Sequence, residues 1–411
     1  MTMTIDSLAI DGARLIARLH ELGATGRDET LGLCRLAGSD ADKAGRDLLC
    51  RWLAQAGLTI EIDRIGNIHG IWEPEGASDD PLVMGSHIDT VINAGIYDGC
   101  YGVLAGLAVI EALQKAGLRP SRPLAVTAYT NEEGVRYAPD MMGSLVAAGG
   151  LEVQAALASI GTDGTTLGAE LERIGYAGPR EPGFLRPHAY LELHVEQGPV
   201  LEAEGVQIGA VENLQGISWQ RVTIGGTANH AGTTPMTMRR DAGVAAARLI
   251  GFLDRLARQT PGAVATVGTI RFQPDAINVI PSLASLTVDL RNPDEARLQA
   301  QEAALDAELD TLRIEGFTVN TERLARFQPV AFAPEITSII EKAAAGRRLS
   351  CRRMTSGAGH DAQMIARIAP AAMIFVPSQG GISHNPAEFT AEPDLIAGAN
   401  ILLDVAWRLS R

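Results

Sequence analysis

Long apolar runs are missing from this chain. No stretch reaches the roughly 20 residues that a helix needs to cross a bilayer, which excludes a helical membrane protein. The first residues, Met1–Asp6, show no basic segment leading into an apolar stretch, so no secretory leader is expected. Cysteine is scarce. Cys34, Cys50, Cys100 and Cys351 are widely spaced and form no CxxC pair, which predicts reduced thiols and a cytoplasmic protein. Cys100 lies close to Asp98, but no base stands beside it to make it a nucleophile. Positive charge is short as well. The net charge of −14, with Lys and Arg dispersed apart from Arg347-Arg348 and Arg352-Arg353, argues against nucleic acid or an anionic membrane as partner. Internal repeats and low-complexity tracts are also absent.

What is present is the material for a large core. At 411 residues, 46% hydrophobic and 20% charged, the chain suggests two domains. Helical spacing of apolar residues predicts helices over 6–23 and 39–56, the second capped by Ser39 or Asp40. Strands follow at 58–63, 68–73 and 81–86, then a helix at 102–116 and a strand at 124–130. A Gly-rich loop-and-helix region leads to a strand at 189–195. From about 213 the pattern becomes strand 219–225, helix 238–259, strands 263–273 and 284–291, helix 294–313 and strand 317–323. That β-α-β-β-α-β order is a self-contained α+β sandwich of ferredoxin-like type. Afterwards the α/β pattern resumes with helices at 334–346 and 360–368, a strand at 371–377 and a helix at 392–409. Residues 213–326 are therefore expected as a domain inserted into one formed by 1–212 and 327–411.

Polar clusters stand at the ends of four strands of the outer domain. His87 and Asp89 follow the first, with Asp98 shortly after, just before a helix. Glu132-Glu133 follow the second, His194 and Glu196 end the third, and His384 lies in the loop after the fourth. Open α/β sheets gather ligands at the carboxyl ends of their strands. The count fits two divalent cations: Asp98 bridging, His87 and His194 on one, Glu133 and His384 on the other. Mixed imidazole and carboxylate donors suit Zn²⁺, Mn²⁺, Co²⁺ or Ni²⁺. The spacing of His87 and Asp89 suits an imidazole whose second nitrogen is held by a carboxylate. Of Glu132 and Glu133, one would be left unligated as a general base; spacing does not say which.

Taken together, Gly85-Ser-His-Ile-Asp-Thr-Val91, Tyr97-Asp98-Gly99, Thr130-Asn-Glu-Glu-Gly134, His194-Val-Glu-Gln-Gly-Pro199, Asn229-His-Ala-Gly232, Gly357-Ala-Gly-His-Asp361 and Ser383-His-Asn-Pro386 form a specific set. The chain resembles the amidase, hydantoinase/carbamoylase family of the dinuclear zinc aminopeptidase-like hydrolases over nearly its whole length. The resemblance implies an α/β fold: a mixed-sheet catalytic domain of metallopeptidase type, with the insertion serving as lid and homodimer interface. It implies the ligands His87, Asp98, Glu133, His194 and His384, and it casts Glu132 as the base. It further implies that Asn278 and Arg291 hold a substrate carboxylate and that His230 polarises the scissile carbonyl. Gln197, Gly357, Gly359 and His360 would line the pocket, with His360 also able to start a helix. His20, His69 and His188 are read as structural. Two departures, Tyr97 and the Cys100-Tyr101 pair, leave the pocket size open.

The expected activity is metal-dependent hydrolysis of the ureido C–N bond of an N-carbamoyl-L-amino acid, giving the amino acid, CO₂ and ammonia. Allantoate and N-carbamoyl-β-alanine are alternative ureido acids. A non-catalytic ureido- or amino-acid-binding protein on the same fold is the alternative outside enzymes, disfavoured because every ligand and the base are present.

Overall fold

The computed structural model describes residues 8–77 and 80–411. The chain divides into two compact units: Asn213–Val330 forms one, and the flanking segments, up to Glu212 and from Ala331, form the other.

The larger unit is organised by four parallel strands, in the spatial order Ala371–Val376, Ala189–Val195, Leu82–His87 and Leu124–Tyr129. Every residue in them is buried. Strands covered on both faces need near-continuous apolar sequence, and runs such as Ala-Ala-Met-Ile-Phe-Val supply it. Antiparallel strands extend the sheet on both sides. Ile208–Leu214 pairs with Ala371–Val376. Ile68–Trp72 and then Thr59–Ile62 continue beyond Leu124–Tyr129. Helix Cys100–Lys115 packs on the parallel strands, and helix Glu392–Leu409 packs on both that helix and the sheet. Thirteen of the sixteen residues of Cys100–Lys115 are buried, the mark of a helix enclosed on all sides. Fully burying each Leu, Val or Ile here contributes about 1.5–3 kcal/mol, so the ground on which the strand ends stand is rigid.

Several boundaries differ from the sequence expectation. The first helix begins at Gly12, capped by the Asp11 carboxylate on the Arg14 N–H at 3.1 Å; of its expected early residues, 6 and 7 lie outside the described part. Ile10 is not helical, and its N–H is taken by the Asn400 side chain at 3.0 Å. Ser39 is the cap of the second helix. The expected strand 263–273 is two pieces, Val264–Thr266 and Ile270–Gln273, broken where the Thr269 N–H turns to the Thr287 hydroxyl at 3.1 Å. The helix expected over 360–368 covers only Asp361–Ile365. Strands Ile208–Leu214 and Cys351–Ser356 pair with one another outside the parallel core. Their polar residues hid them from a reading based on apolar runs.

The inserted unit is an antiparallel sheet in the order Thr318–Phe327, Gly216–Gly225, Leu283–Asn292, Val264–Thr266, with Ile270–Gln273 also on Leu283–Asn292. Val222, Ile224, Leu286, Val288 and Leu290 pack into one core with Leu249 and Leu253 of helix Ala242–Gln259 and Leu305 and Leu309 of helix Glu295–Ile314. Burial in Leu283–Asn292 alternates strictly, placing Asp289 and Arg291 on the opposite face from Leu286, Val288 and Leu290. This is the ferredoxin-like sandwich. Its last strand runs on to Phe327, past the boundary expected at 326.

Candidate metal and catalytic centre

The four parallel strands deliver their polar groups to one place. His87 ends its strand, His194 lies one residue before the end of its own, and Glu132, Glu133 and His384 sit in the loops that follow the other two. Asp98 reaches the same point from the turn before helix Cys100–Lys115. Its carboxylate is divided between two sets of donors. Oδ1 lies 3.1 Å from His194 Nε2 and 3.6 Å from His87 Nε2. Oδ2 lies 3.3 Å from His384 Nε2, which is itself 3.4 Å from Glu133 Oε2. Glu132 stands outside the second set, with Oε2 at 3.3 Å from His87 Nε2. A cavity of about 130 Å³ opens here, lined by Asp98, Glu132, Glu133, His194, Gln197 and His384, with Asp140, Ala358, Gly359 and His360 completing its wall.

Several backbone features hold this arrangement. Gly99 has φ 63°, and a Cβ there would overlap the His87 ring, so only glycine allows Asp98 this close approach. Asn131, Gln197 and His384 adopt left-handed backbone at φ 56°, 57° and 53°, strain that persists only where the surroundings fix it. The Asp89 carboxylate accepts the backbone N–H groups of Glu132 and Glu133, both at 3.2 Å, and thereby fixes the turn that carries them. This corrects one expectation. The partner of the His87 Nδ1 is the Asp89 carbonyl at 3.0 Å, with the carboxylate 3.9 Å away, because that carboxylate is committed to the Glu132-Glu133 turn.

The tautomers follow from these bonds. His87 Nδ1 faces the Asp89 carbonyl and His194 Nδ1 faces the Val195 carbonyl at 2.8 Å, so both carry their proton on Nδ1. Each Nε2 then turns a lone pair toward the same oxygen of Asp98. Lone pairs converging on an anionic oxygen repel unless a cation or a proton lies between them. Two ligands about 2.1 Å from one tetrahedral ion stand about 3.4 Å apart, and the pairs here run from 3.1 to 3.6 Å. The groups His87, Asp98, His194 and Asp98, Glu133, His384 are thus each compact enough to hold an ion. Gln197 Oε1 is buried beside them without a hydrogen-bond partner. The residues fit a pair of divalent cations.

Electrostatics show the same demand for positive charge. Burial and the surrounding acids, Asp361 and Glu133 among them, push Glu132 well above the usual carboxylate range. Burial and Asp98 push Glu133 up to about 8. Burial would depress His87, but Glu132, Asp98 and Asp89 hold it well above its ordinary value. Asp98 goes the other way: burial opposes ionisation, and the three imidazoles outweigh it and hold the carboxyl well below its ordinary value.

Other expected residues take definite places. Gln197 Nε2 donates to Asp98 Oδ2 at 2.7 Å. His360 is buried, its Nε2 within 3.0 Å of the Ser356 hydroxyl, and it stands immediately before helix Asp361–Ile365. Burial and the neighbouring His194 keep it neutral. Gly359 lines the cavity, while Gly357 is exposed. Glu196 leaves the cluster and accepts the N–H groups of Val200 and Leu201, both at 2.8 Å. Cys100 faces the core, where its sulfur accepts from Arg35 at 3.1 Å, and the Tyr101 hydroxyl donates to the Leu395 carbonyl at 2.6 Å. Neither residue narrows the cavity.

Within the inserted unit, the His230 turn pairs with the Asn278 loop: the Ala231 N–H donates to the Asn278 carbonyl at 3.0 Å. His230 Nδ1 accepts from Gly232 and Thr233 at 3.0 and 3.2 Å, which leaves its proton on the exposed Nε2. Arg291 is held by Asp289, with Nε 3.0 Å from both carboxylate oxygens and Nη2 2.9 Å from one of them. Sequence reasoning missed Asp289 and Glu388, and quoted Ser383 in a motif without giving it a role. Glu388 follows the Ser383-His-Asn-Pro386 motif by two residues, which was the available signal.

The profile of Peptidase family M20/M25/M40 matches residues 83–408. An N-carbamoyl-L-amino-acid amidohydrolase of Rhizobium meliloti is 39% identical over 96% of this chain and 95% of its own. An allantoate amidohydrolase of Bacillus subtilis is 34% identical over 87% of this chain and 88% of its own. The crystal structure of an amidase of the hydantoinase/carbamoylase family from Burkholderia multivorans superposes with a TM-score of 0.95 at 42% identity, covering 98% and 99% of the two chains. With its family profile spanning residues 83–408 and its relatives matched over nearly full length, the chain belongs to the M20/M25/M40 peptidase family, as one of its hydantoinase/carbamoylase amidases.

Proposed function

We propose that this protein is a metal-dependent amidohydrolase that cleaves the ureido C–N bond of N-carbamoyl-L-amino acids, giving the amino acid, CO₂ and ammonia. The observation that carries the reading is the divided Asp98 carboxylate, with one donor set on each oxygen and Glu132 standing beside them. The curated amidohydrolase from Rhizobium meliloti supports the substrate class.

His87, Asp98 and His194 would hold one divalent ion and Asp98, Glu133 and His384 the other, drawn from Zn²⁺, Mn²⁺, Co²⁺ or Ni²⁺. Such ions polarise a carbonyl and acidify water. The chain's own residues do the rest. Glu132, whose burial raises its proton affinity, takes a proton from the attacking water and returns it to the departing amine. His230 offers its Nε2–H to the carbonyl oxygen as negative charge develops there. Arg291 and Asn278 bind the substrate carboxylate, the guanidinium through a forked, permanent charge.

The protein is further proposed to be a cytoplasmic homodimer joined through the inserted unit. Four free thiols support the compartment. Trp219 and Phe327, 40% exposed on neighbouring strands of the inserted sheet, support the interface. Among the described residues no helix is long and apolar enough to cross a membrane.

The test is ammonia release from chelator-stripped protein given each metal in turn, on N-carbamoyl-L-methionine, its D-isomer, N-carbamoyl-β-alanine and allantoate. Fast metal-dependent release from the L-compound is expected. Preference for allantoate would keep the site and change the substrate. Release from none, with two ions bound, would overturn the ureido reading.

A further inference from the structure

Glu388 plays no part in the chemistry above, yet it is only 6% exposed and touches both loops that close the metal centre. Its Oε2 accepts the backbone N–H of Tyr97 at 3.0 Å and, more loosely, that of Asp98 at 3.4 Å. Its Oε1 accepts the Ser383 hydroxyl at 3.1 Å, and the same hydroxyl lies 3.2 Å from Asp98 Oδ2. One carboxylate therefore joins the loop that presents the divided Asp98 to the loop that presents His384, across nearly three hundred residues of chain. The backbone is shaped around it. A Cβ at Gly95 would overlap the Glu388 carboxylate, so the Asp98 loop wraps it as only glycine permits. His384 also needs an anchor. It holds φ 53° on a side chain that is 52% exposed, and its neighbour Ser383 is the residue that Glu388 grips.

We infer that Glu388 is a positioning residue that sets the separation of Asp98 and His384, and with it the affinity for the ion on the Glu133–His384 side. His87 and His194 hold their side of Asp98 through their own strands, and their Nδ1 atoms are tied to local carbonyls. That half keeps two strand-held imidazoles without Glu388, which reaches it only through the Asp98 backbone. The Glu133–His384 half has no such strand beneath His384 and depends on the clamp. The inference rests on the two-ion reading of the site.

Co²⁺ titration by equilibrium dialysis, followed by visible absorption, separates the two halves. Wild type is expected to bind two ions per chain. In Glu388→Ala the first ion should lose little affinity and the second about 10–100-fold, the usual cost of losing a group that orients a ligand. Its d–d band should shift. Glu388→Gln keeps an acceptor for the backbone amides and should recover most of the loss. Ser383→Ala cuts only the link to the His384 loop and should weaken the same ion; it decides the matter if Glu388→Ala does not fold. Wild-type affinity and spectrum for both ions in folded Glu388→Ala or Ser383→Ala, with only a lower melting temperature, would reduce Glu388 to a packing residue and overturn the inference. Failure of wild type to bind a second ion would instead overturn the two-ion reading, and the inference with it.

Discussion

The two units handle burial in opposite ways. The strands that carry the metal-centre groups are covered on both faces, and His87, Asp98, Glu132 and His194 are all buried. The inserted sheet covers one face only, and the residues assigned to substrate stand on its open side or in its loops. His230 and Asn278 are exposed and Arg291 is about a quarter exposed. Buried donors in fixed tautomers make a site that is formed before substrate arrives. Exposed donors remain hydrated and contribute only when substrate displaces that water. The difference teaches that the metal and proton chemistry should rest on the first unit and carboxylate affinity on Arg291 and Asn278 of the second, with His230 the second unit's one share in turnover, and four measurements would break or sharpen that division.

The largest effect belongs to Glu132→Gln, which removes the proton acceptor and leaves both donor sets intact. It should lower kcat by about 10²–10⁴-fold with bound metal and KM little changed. Full turnover in that variant would remove Glu132 from the mechanism. Arg291→Lys comes next. A lysine cannot reproduce the fork that Asp289 orients, so KM should rise about 10–100-fold, the value of a charged hydrogen bond, with kcat nearly unchanged. A fall in kcat alone would show that Arg291 acts in the chemistry and not in carboxylate affinity, and would erase the contrast. Asp89→Asn keeps one acceptor for the Glu132-Glu133 turn and should cost about tenfold in kcat, measured at saturating metal.

The smallest effect is a slope. Glu133 at about 8, His384 at about 9 and Glu388 at about 7 all bind protons more tightly folded than unfolded. Folded protein then holds more protons than unfolded protein between the ordinary carboxylate range and pH 9. Stability of the chelator-treated protein should therefore fall as pH rises through that window. Metal ions would replace the protons on Glu133 and His384, so the melting temperature of loaded protein should lose most of the downward slope. Parallel slopes with and without metal would mean that the buried acids are not the ligands.

Much of this was legible in the residues because the parallel strands write themselves as apolar runs. A polar group that follows such a run stands at a strand end, so His87, Glu132, Glu133, His194 and His384 could be gathered before any coordinates. The choice between Glu132 and Glu133 could not, since adjacent residues differ only in which way the turn aims them. Asp89 acts through its carbonyl on His87 and its carboxylate on the next loop, a division that depends on where the 130–134 turn passes. Glu388 was hidden for a different reason. Its nearness to the Ser383–Pro386 motif hints at a link to Ser383, but its bonds to the distant Tyr97 and Asp98 backbone leave no trace in side-chain spacing. The strand Cys351–Ser356 was missed because pairing on one side asks little of its sequence, and Ile208–Leu214 because Glu212 and Asn213 cut its apolar run short.

The order of the parallel strands also has a consequence for synthesis. Three of them, with His87, Asp98, Glu132, Glu133 and His194, leave the ribosome before the inserted unit, and the fourth, with His384 and Glu388, leaves after it. On the two-ion reading, one donor group is encoded wholly before the inserted unit, and the other is complete only once His384 has been made. A chain cut short after the inserted unit would lack both His384 and the parallel strand Ala371–Val376, and no turnover is expected of it.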